Sequence, residues 1–209
     1  MTQTSHSASP GGTWVAADPH FGHANILNFE SSPGVPLRPF KDVEEMDETM
    51  ISNWNSVVKD QDRVYLLGDV AFHPRVFQRV IPRLAGRIVL VLGNHDPVKL
   101  RRYGDLFDDV RGYICKKGFI MSHIPIHPGS ISRWAINIHG HTHSNLVGKI
   151  APWDTAVSTK DPDPRYVCVS MEQIDYTPKS LSDILKESNV FNTDREPLGS
   201  GHRGGQPSR

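Results

Sequence analysis

Short apolar runs recur along this chain, and in several of them the apolar residues stand at successive positions. Strands that are covered on both faces have this pattern, whereas strands with one face in solvent alternate apolar and polar residues. Polar segments bound each run. We therefore predict strands at residues 13–17, 63–67, 87–92, 118–122, 135–138 and 165–170.

Helical patterns separate or follow these strands. The clearest helix begins after Asp42, which has Glu45 three residues later, as in a capping box. A second helix is predicted to begin at Pro74 and to end or kink at Pro82. The apolar faces comprise Val43, Met46, Met50, Ile51, Trp54, Val57 and Val58 in the first helix, Val76, Phe77, Val80 and Ile81 in the second, and Leu181, Ile184 and Leu185 in a third.

This alternation of helices and two-faced strands predicts a layered α/β domain. We place a single domain at residues 13–188. The segments 1–12 and 189–209 are poor in core-forming residues and are predicted to be flexible tails.

Polar residues with metal-binding side chains directly follow five of the predicted strands. Because ligands bind at the carboxyl ends of strands in open α/β sheets, we expect these side chains to converge. Gly68, Gly93 and Gly140 each precede such a residue, where glycine permits a positive φ and a close approach of the backbone. The converging residues are Asp18, His20, Asp69, Asn94, His95, Asp96, His123, His141 and His143.

The ligand types favour two transition-metal ions. Imidazole and oxygen donors without a thiolate suit Mn, Fe, Zn, Ni or Co better than Mg or Ca. Seven of the converging residues form this ligand set: Asp18, His20, Asp69, Asn94, His123, His141 and His143. Seven ligands are too many for one open catalytic metal, and Asp69 could bridge two. Two dications, two carboxylates and a hydroxide leave a charge near +1, which favours an anionic substrate such as a phosphate ester.

In order along the chain, the motifs D-x-H, G-D, G-N-H-D, H and G-H-x-H resemble the calcineurin-like metallophosphoesterase superfamily, in particular its small single-domain members from bacteria and phages. The resemblance spans residues 13–178. It implies a four-layer α/β/β/α sandwich. It also implies hydrolysis of phosphate esters, in which a hydroxide on two divalent ions, Mn²⁺ foremost, attacks phosphorus.

The same resemblance implies a role for each motif residue. The first metal would be held by Asp18, His20 and His143, the second by Asn94, His123 and His141, and Asp69 would bridge both. His95 would contact the phosphate or protonate the leaving group, and Asp96 would orient His95 through a hydrogen bond. His139, before the Gly140 interruption, is then expected to be structural.

Other polar residues leave alternatives open. His23 could contact substrate phosphate or cap the following helix, and Arg133 and Trp134 are possible substrate contacts. Structural roles are favoured for His73 and His127. A row of arginines could contact nucleic acid, although a solvated helix face is favoured: Arg75, Arg79, Arg83 and Arg87. The segment 144–164, with Trp153, could line a cleft or merely connect two elements.

Composition limits the function classes. Lys and Arg together number 23, as do Asp and Glu, so the chain is not a globally basic nucleic-acid binder. It lacks a membrane-length apolar run and a signal peptide, and Cys115 and Cys168 are predicted to be buried free thiols in a reducing cytoplasm.

These limits leave several functions open. The expected substrate is a small-molecule or nucleotide phosphate ester, and phosphodiesters are favoured because 209 residues leave little room for an enclosing cap domain. Alternatives are a nuclease acting on single-stranded nucleic acid and a metal-free protein-binding scaffold. The oligomeric state is left open.

Overall fold

Two β-sheets and a small hairpin organise the protein in the computed structural model, which describes residues 11–96, 104–149 and 161–190. Within these ranges there are three α-helices: α1 (Val43–Val57), α2 (Pro74–Val80) and α3 (Leu181–Glu187). The strands are β1 (Thr13–Ala16), β2 (Glu30–Ser32), β3 (Val35–Pro36), β4 (Arg63–Leu66), β5 (Arg87–Val91), β6 (Asp109–Arg111), β7 (Tyr113–Lys116), β8 (Phe119–Ser122), β9 (Ile136–His139), β10 (Tyr166–Cys168) and β11 (Lys179–Ser180).

The larger sheet has the strand order β11-β1-β4-β5-β6. Its four strands from β1 to β6 are mutually parallel, and only β11 is antiparallel to its neighbour. The carboxyl ends of β1, β4 and β5 therefore lie side by side at one edge. All three strands are followed by predicted ligand motifs.

The smaller sheet has the order β10-β9-β8-β7, with β8, β9 and β10 parallel and β7 antiparallel. Backbone hydrogen bonds connect the two sheets just beyond β1 and β10: Ala17 N–H donates to Val169 O at 2.9 Å, and Met171 N–H donates to Ala17 O at 3.1 Å. This junction brings the loops after β8 and β9 towards the loops after β1, β4 and β5.

Helix α1 forms where the capping pattern predicts it. The Asp42 carboxylate accepts a hydrogen bond from Glu45 N–H at 2.9 Å, while Glu45 accepts from Lys41 N–H instead of closing a capping box with Asp42. The helix buries Met46, Met50, Ile51 and Trp54. Trp54 also donates from its indole nitrogen to Ala85 O at 2.9 Å, which satisfies its one polar group.

The predicted strands and helices are confirmed, with small differences at their ends. β4, β5, β8 and β9 are buried along nearly their whole length, as the successive apolar positions predict. Pro82 ends α2, which continues only as a single 3-10 turn. The fold class is thus a single mixed α/β domain with parallel and antiparallel strands. Within the described residues, no helix is both long and apolar enough to cross a membrane.

Some details differ from the sequence prediction. Cys115 is exposed on β7 and only Cys168 is partly buried, so the expectation of two buried thiols is wrong. Gly12 N–H donates a hydrogen bond to Asp62, and Val190 packs against the core, so both lie within the ordered domain. Residues 1–10 and 191–209 of the predicted tails, and residues 150–160 with Trp153, lie outside the described residues.

Candidate metal centre

The predicted ligands lie together in loops after β1, β4, β5, β8 and β9. Two groups of three each offer ligand atoms that lie within 4.8 Å of one another. The first group comprises Asp18, His20 and His143, and the second comprises Asp69, His123 and His141. We refer to them below as the first and second groups.

Asp69 belongs to the second group and also lies beside the first. Its Oδ2 is 3.7 Å from His20 Nε2 in the first group and 3.4 Å from His123 Nε2 in the second. A carboxylate that bridges two cations would need this position. Asn94, the seventh predicted ligand, lies at the edge of the second group, with its Oδ1 2.8 Å from His123 Nε2.

Backbone and carboxylate partners orient the imidazole rings. His123 Nδ1 lies 2.8 Å from Leu67 O, so its Nε2 is the nitrogen that faces Asp69 and Asn94. His143 Nδ1 lies 3.2 Å from a carboxylate oxygen of Glu172, which leaves its Nε2 for a ligand. His139 belongs to neither group; it is buried, with Nδ1 2.7 Å from Gly140 O.

Several buried polar atoms at the site lack a hydrogen-bond partner. Within the described residues, these atoms are Asp18 Oδ1, both ring nitrogens of His20, and Oε2 of Glu172 beside His143. Such atoms are rare in folded proteins, because each costs about 1–3 kcal/mol. Cation coordination would satisfy these atoms, and the donor set of imidazole, carboxylate and amide oxygen suits transition metals.

Backbone strain also concentrates at the site. Five of the seven predicted ligands have left-handed backbone conformations, with φ between 48° and 69°: Asp18, His20, Asp69, His141 and His143. Residues with a β-carbon seldom adopt this conformation, which costs on the order of 1–3 kcal/mol at each position. The surrounding fold therefore maintains an unfavourable local geometry that directs these side chains towards one another.

The glycines act differently from one another. Gly68 has the expected positive φ of 82°, but Gly93 and Gly140 do not, so that part of the expectation is wrong. A β-carbon at Gly93 would overlap Oδ1 and N of Asp69, and one at Gly140 would overlap Oδ2 of Asp18. Gly93 and Gly140 thus permit the close approach of neighbouring motifs.

Asp96 requires a correction. Its carboxylate does not hydrogen-bond the His95 side chain; it accepts from the backbone N–H groups of Asp69 at 3.1 Å, Val70 at 2.8 Å and Gly93 at 2.8 Å. A buried carboxylate needs several donors, and these amides are the ones within reach. Asp96 therefore joins the loop after β4 to the loop after β5.

His95 is exposed beside the two groups. Its backbone N–H donates to Asp69 Oδ1 at 2.8 Å, and its ring centroid lies 4.6 Å from that of Phe72 and 6.0 Å from that of His20. The imidazole can therefore contact a ligand that is bound over the groups.

Burial and neighbouring charges set the protonation of the buried ligands. Burial raises the pKa of Asp18 to about 6. Burial, followed by the charge of Arg38, lowers the pKa of His20 to about 3. Burial also raises the pKa of Asp69, but the His123 hydrogen bond and charge outweigh it and bring this pKa to about 2. A neutral His20 and an ionised Asp69 are the forms that bind cations.

Of the remaining histidines, His23 lies near the metal-ligand groups, whereas His127 and His73 have structural positions. His23 precedes a 3-10 helix but its side chain makes no capping hydrogen bond; its ring lies 4.6 Å from that of Phe72 and 5.9 Å from that of His20. The capping alternative is therefore wrong. His127 accepts from Gly129 N–H at 3.1 Å and is structural, and His73 directly precedes α2, as predicted.

Two arginines of the row, Arg79 and Arg83, are paired with carboxylates. Arg79 pairs with Asp47 at 2.6 Å and Arg83 pairs with Glu48 at 2.5 Å, and both carboxylates belong to α1. Arg133 instead lines a cleft of about 1040 Å³, whose other lining residues include Trp134, Asn94 and His123.

Three site residues were not predicted from sequence. Ser170 donates to Asp18 Oδ2 at 2.6 Å, and the buried Arg38 contacts Glu172 and the carbonyls of Asp18 and Pro19. None of them stands next to a ligand motif in the sequence. Only the folded chain brings them to the site.

Comparisons with known proteins give relatives without an assigned activity. No family model matches this chain. The uncharacterized protein MJ1445 of Methanocaldococcus jannaschii is 34% identical over 178 residues, which cover 83% of this chain and 89% of that protein. The gene 66 protein of Mycobacterium phage L5 is 28% identical over 173 residues, which cover 65% of this chain and 79% of that protein.

A solved structure is also similar. The crystal structure of AQ665 from Aquifex aeolicus, a protein of unknown function, aligns with a TM-score of 0.61 and 28% identity over 85% of this chain and 99% of that chain. The fold is therefore shared with that protein. Since the identity to MJ1445 extends over most of both sequences, this chain belongs to the family of the uncharacterized protein MJ1445.

Proposed function

We propose that this protein is a phosphodiesterase with two divalent metal ions, built as the four-layer α/β/β/α sandwich of the calcineurin-like metallophosphoesterases. The observation that carries the proposal is the pair of three-residue groups, in which Asp69 of the second group also lies 3.7 Å from His20 of the first. The unsatisfied buried atoms of Asp18 and His20 support it, because an apolar or fully hydrogen-bonded site would not leave them.

The chain's own residues define what each part of the site does. Asp18, His20 and His143 would hold one cation and His123, His141 and Asn94 the other, with Asp69 shared, and Mn²⁺ is the expected metal. The pair of cations would supply an acidic bound water and neutralise charge on the phosphate. His95 would donate a proton to the leaving oxygen or a hydrogen bond to the phosphate.

The cleft beside the second group favours diesters. It begins at Asn94 and His123. Its lining includes Tyr113, which is 64% exposed to solvent, Ile124, which is 51% exposed, and the exposed Arg133. On the other side of the groups lie His23 and Phe72. A phosphorus between the groups would therefore have room for one organic substituent on each side. The two free thiols suit a reducing cytoplasm as the place of action.

Asp69→Asn and His95→Ala test this proposal with Mn²⁺-loaded protein. We expect each variant to lose about 10²–10⁴-fold in turnover of bis(p-nitrophenyl) phosphate while keeping its circular dichroism spectrum. The wild type should hydrolyse this diester faster than p-nitrophenyl phosphate. His127→Ala, which alters a histidine outside the groups, is the matched control.

Each result decides a separate point. Unchanged turnover by His95→Ala would contradict the role of His95. Failure of the metal-loaded wild type to hydrolyse either ester, or any member of a panel with cyclic nucleotides and oligonucleotides, would contradict the phosphodiesterase. Selective cleavage of single-stranded oligonucleotides would favour the nuclease alternative.

A further inference from the structure

A buried ion pair lies behind the first group. The Arg38 side chain is completely buried, and its Nε lies 2.6 Å from Oε1 of Glu172, whose side chain is only 6% exposed. Buried ion pairs are weak sources of stability, because removing both charges from water costs as much as their attraction returns. This pair therefore calls for an explanation other than stabilisation of the core.

The Arg38–Glu172 pair contacts both parts of the first group. Arg38 donates from its two terminal nitrogens to Pro19 O at 2.6 Å and to Asp18 O at 2.5 Å, which places the loop that carries Asp18 and His20. Glu172 Oε1 lies 3.2 Å from His143 Nδ1. The loops after β1 and β9, which belong to different sheets, are thus connected through one pair of side chains.

The charges of the pair also suit a neighbouring cation. Arg38 alone would place an unscreened positive charge beside the first group and repel a dication. Glu172 neutralises that charge and at the same time holds His143 with Nε2 directed away from itself. Serine or amide partners could orient His143, but they would leave the buried charge of Arg38 uncompensated.

We propose that Arg38 and Glu172 are positioning residues for the first cation, which they influence through the loop of Asp18 and His20 and through His143. This inference rests on the proposed function, because it assumes that the first group holds a metal. The expected consequence is selective: the first site depends on the pair, while the second group, which neither residue contacts, does not.

The double variant Arg38→Met/Glu172→Leu tests the inference without leaving an unpaired buried charge. Replacing a buried ion pair by apolar side chains is often neutral for stability, so we expect this protein to fold. Titration with Mn²⁺, followed by calorimetry and by the electron paramagnetic resonance spectrum, should show two sites in the wild type. In the variant, the affinity of one site for Mn²⁺ should fall about 10–100-fold. The spin-coupled signal of two neighbouring Mn²⁺ ions should then be replaced by the signal of a single Mn²⁺ ion.

Two further variants separate positioning from general damage. Glu172→Gln keeps an oxygen acceptor for His143 but leaves the buried charge of Arg38 uncompensated, so it should weaken the first Mn²⁺ site at least as much as the double variant does and leave the second site unchanged. Glu48→Gln breaks the exposed ion pair with Arg83 and should bind two ions like the wild type.

The possible failures are distinguishable. Two sites of wild-type affinity in the double variant, or an equal loss at both sites in a folded variant, would overturn the inference. A wild-type protein that binds fewer than two Mn²⁺ ions would instead contradict the proposed function.

Discussion

Single residues at the site are held by steric contacts that tolerate no additional atoms. Gly93 packs against Asp69 and Gly140 against Asp18, the two carboxylates of the ligand set. Asp18 and Asp69 also have the left-handed backbone conformation, which is unfavourable for residues with a β-carbon. The close packing of the glycines helps to keep both residues in that conformation. The position of each carboxylate therefore depends on the absence of a side chain in a different loop.

Gly93→Ala should displace Asp69 and weaken metal binding. The added methyl group would overlap the Asp69 carboxylate and backbone nitrogen, so either loop must move. We expect at least about a tenfold loss of Mn²⁺ affinity, together with about 1–3 kcal/mol of stability. Calorimetric titration and urea unfolding measure the two effects. Gly104→Ala, where a β-carbon meets open space, is the control, and equal Mn²⁺ affinity in both variants would contradict this account.

Among the elements, the start of β1 is attached to the turn before β4 by a single carboxylate, that of Asp62. Asp62 accepts hydrogen bonds from Gly12 N–H at 2.7 Å, from the Trp14 indole at 2.9 Å and from Lys59 N–H at 2.9 Å. These bonds join the start of β1 to the segment between α1 and β4. Since β1 leads directly into Asp18 and His20, this attachment also supports the site.

Asp62→Asn should destabilise the protein in a pH-dependent way. The Lys59 hydrogen bond, followed by those of Trp14 and Gly12, lowers the pKa of Asp62 below its ordinary value of 3.8. Its contribution is therefore present above that ordinary value and is lost as the pH falls through the lower folded value. We expect the variant to lose about 1–3 kcal/mol of unfolding free energy at about pH 7.

Urea unfolding of the metal-free proteins between about pH 7 and pH 3 measures this effect. The difference in unfolding free energy between the wild type and the variant should become smaller as the pH is lowered. The neighbouring, exposed Asp60 provides the control substitution Asp60→Asn. A difference that stays constant or widens on acidification would show that the charge of Asp62 is not responsible.

At the scale of the whole molecule, the candidate ligands connect the two sheets. Asp18, His20 and Asp69 follow strands of the larger sheet, while His123, His141 and His143 follow strands of the smaller one. Each group combines residues from both sheets. Cations bound there would therefore cross-link the sheets in the native state only.

Mn²⁺ should raise the thermal stability of the protein, and a chelator should reverse the effect. At a free Mn²⁺ concentration about a hundredfold above Kd, each occupied site adds about 2.7 kcal/mol to the free energy of unfolding. For a chain of this size, this corresponds to a rise in Tm of about 5–10 °C. Differential scanning calorimetry measures the shift. His143→Ala should show a smaller shift than His127→Ala, and an unchanged Tm on Mn²⁺ addition would rule out cross-linking by bound metal.

Much of this architecture could be predicted from sequence because it is encoded locally. Successive apolar residues predicted β4, β5, β8 and β9, and the Asp42 cap with its helical spacing predicted α1. The five polar motifs after the strands also identified all six residues of the two groups. The two-residue strands β3 and β11 and the charged strand β6 have no such pattern, since they form by pairing with neighbouring strands.

The sequence by itself determined which side chains could bind a metal and at which strand ends they stand, because residue type and hydrophobic period are local properties. Only the tertiary structure decided which other residues hold these side chains in place through hydrogen bonds. Arg38 and Glu172 are 134 residues apart, and Asp96 reaches the backbone of Asp69 rather than the His95 side chain next to it. Buried polar groups bond the nearest available partner in space, and proximity across distant segments is established only when the two sheets pack.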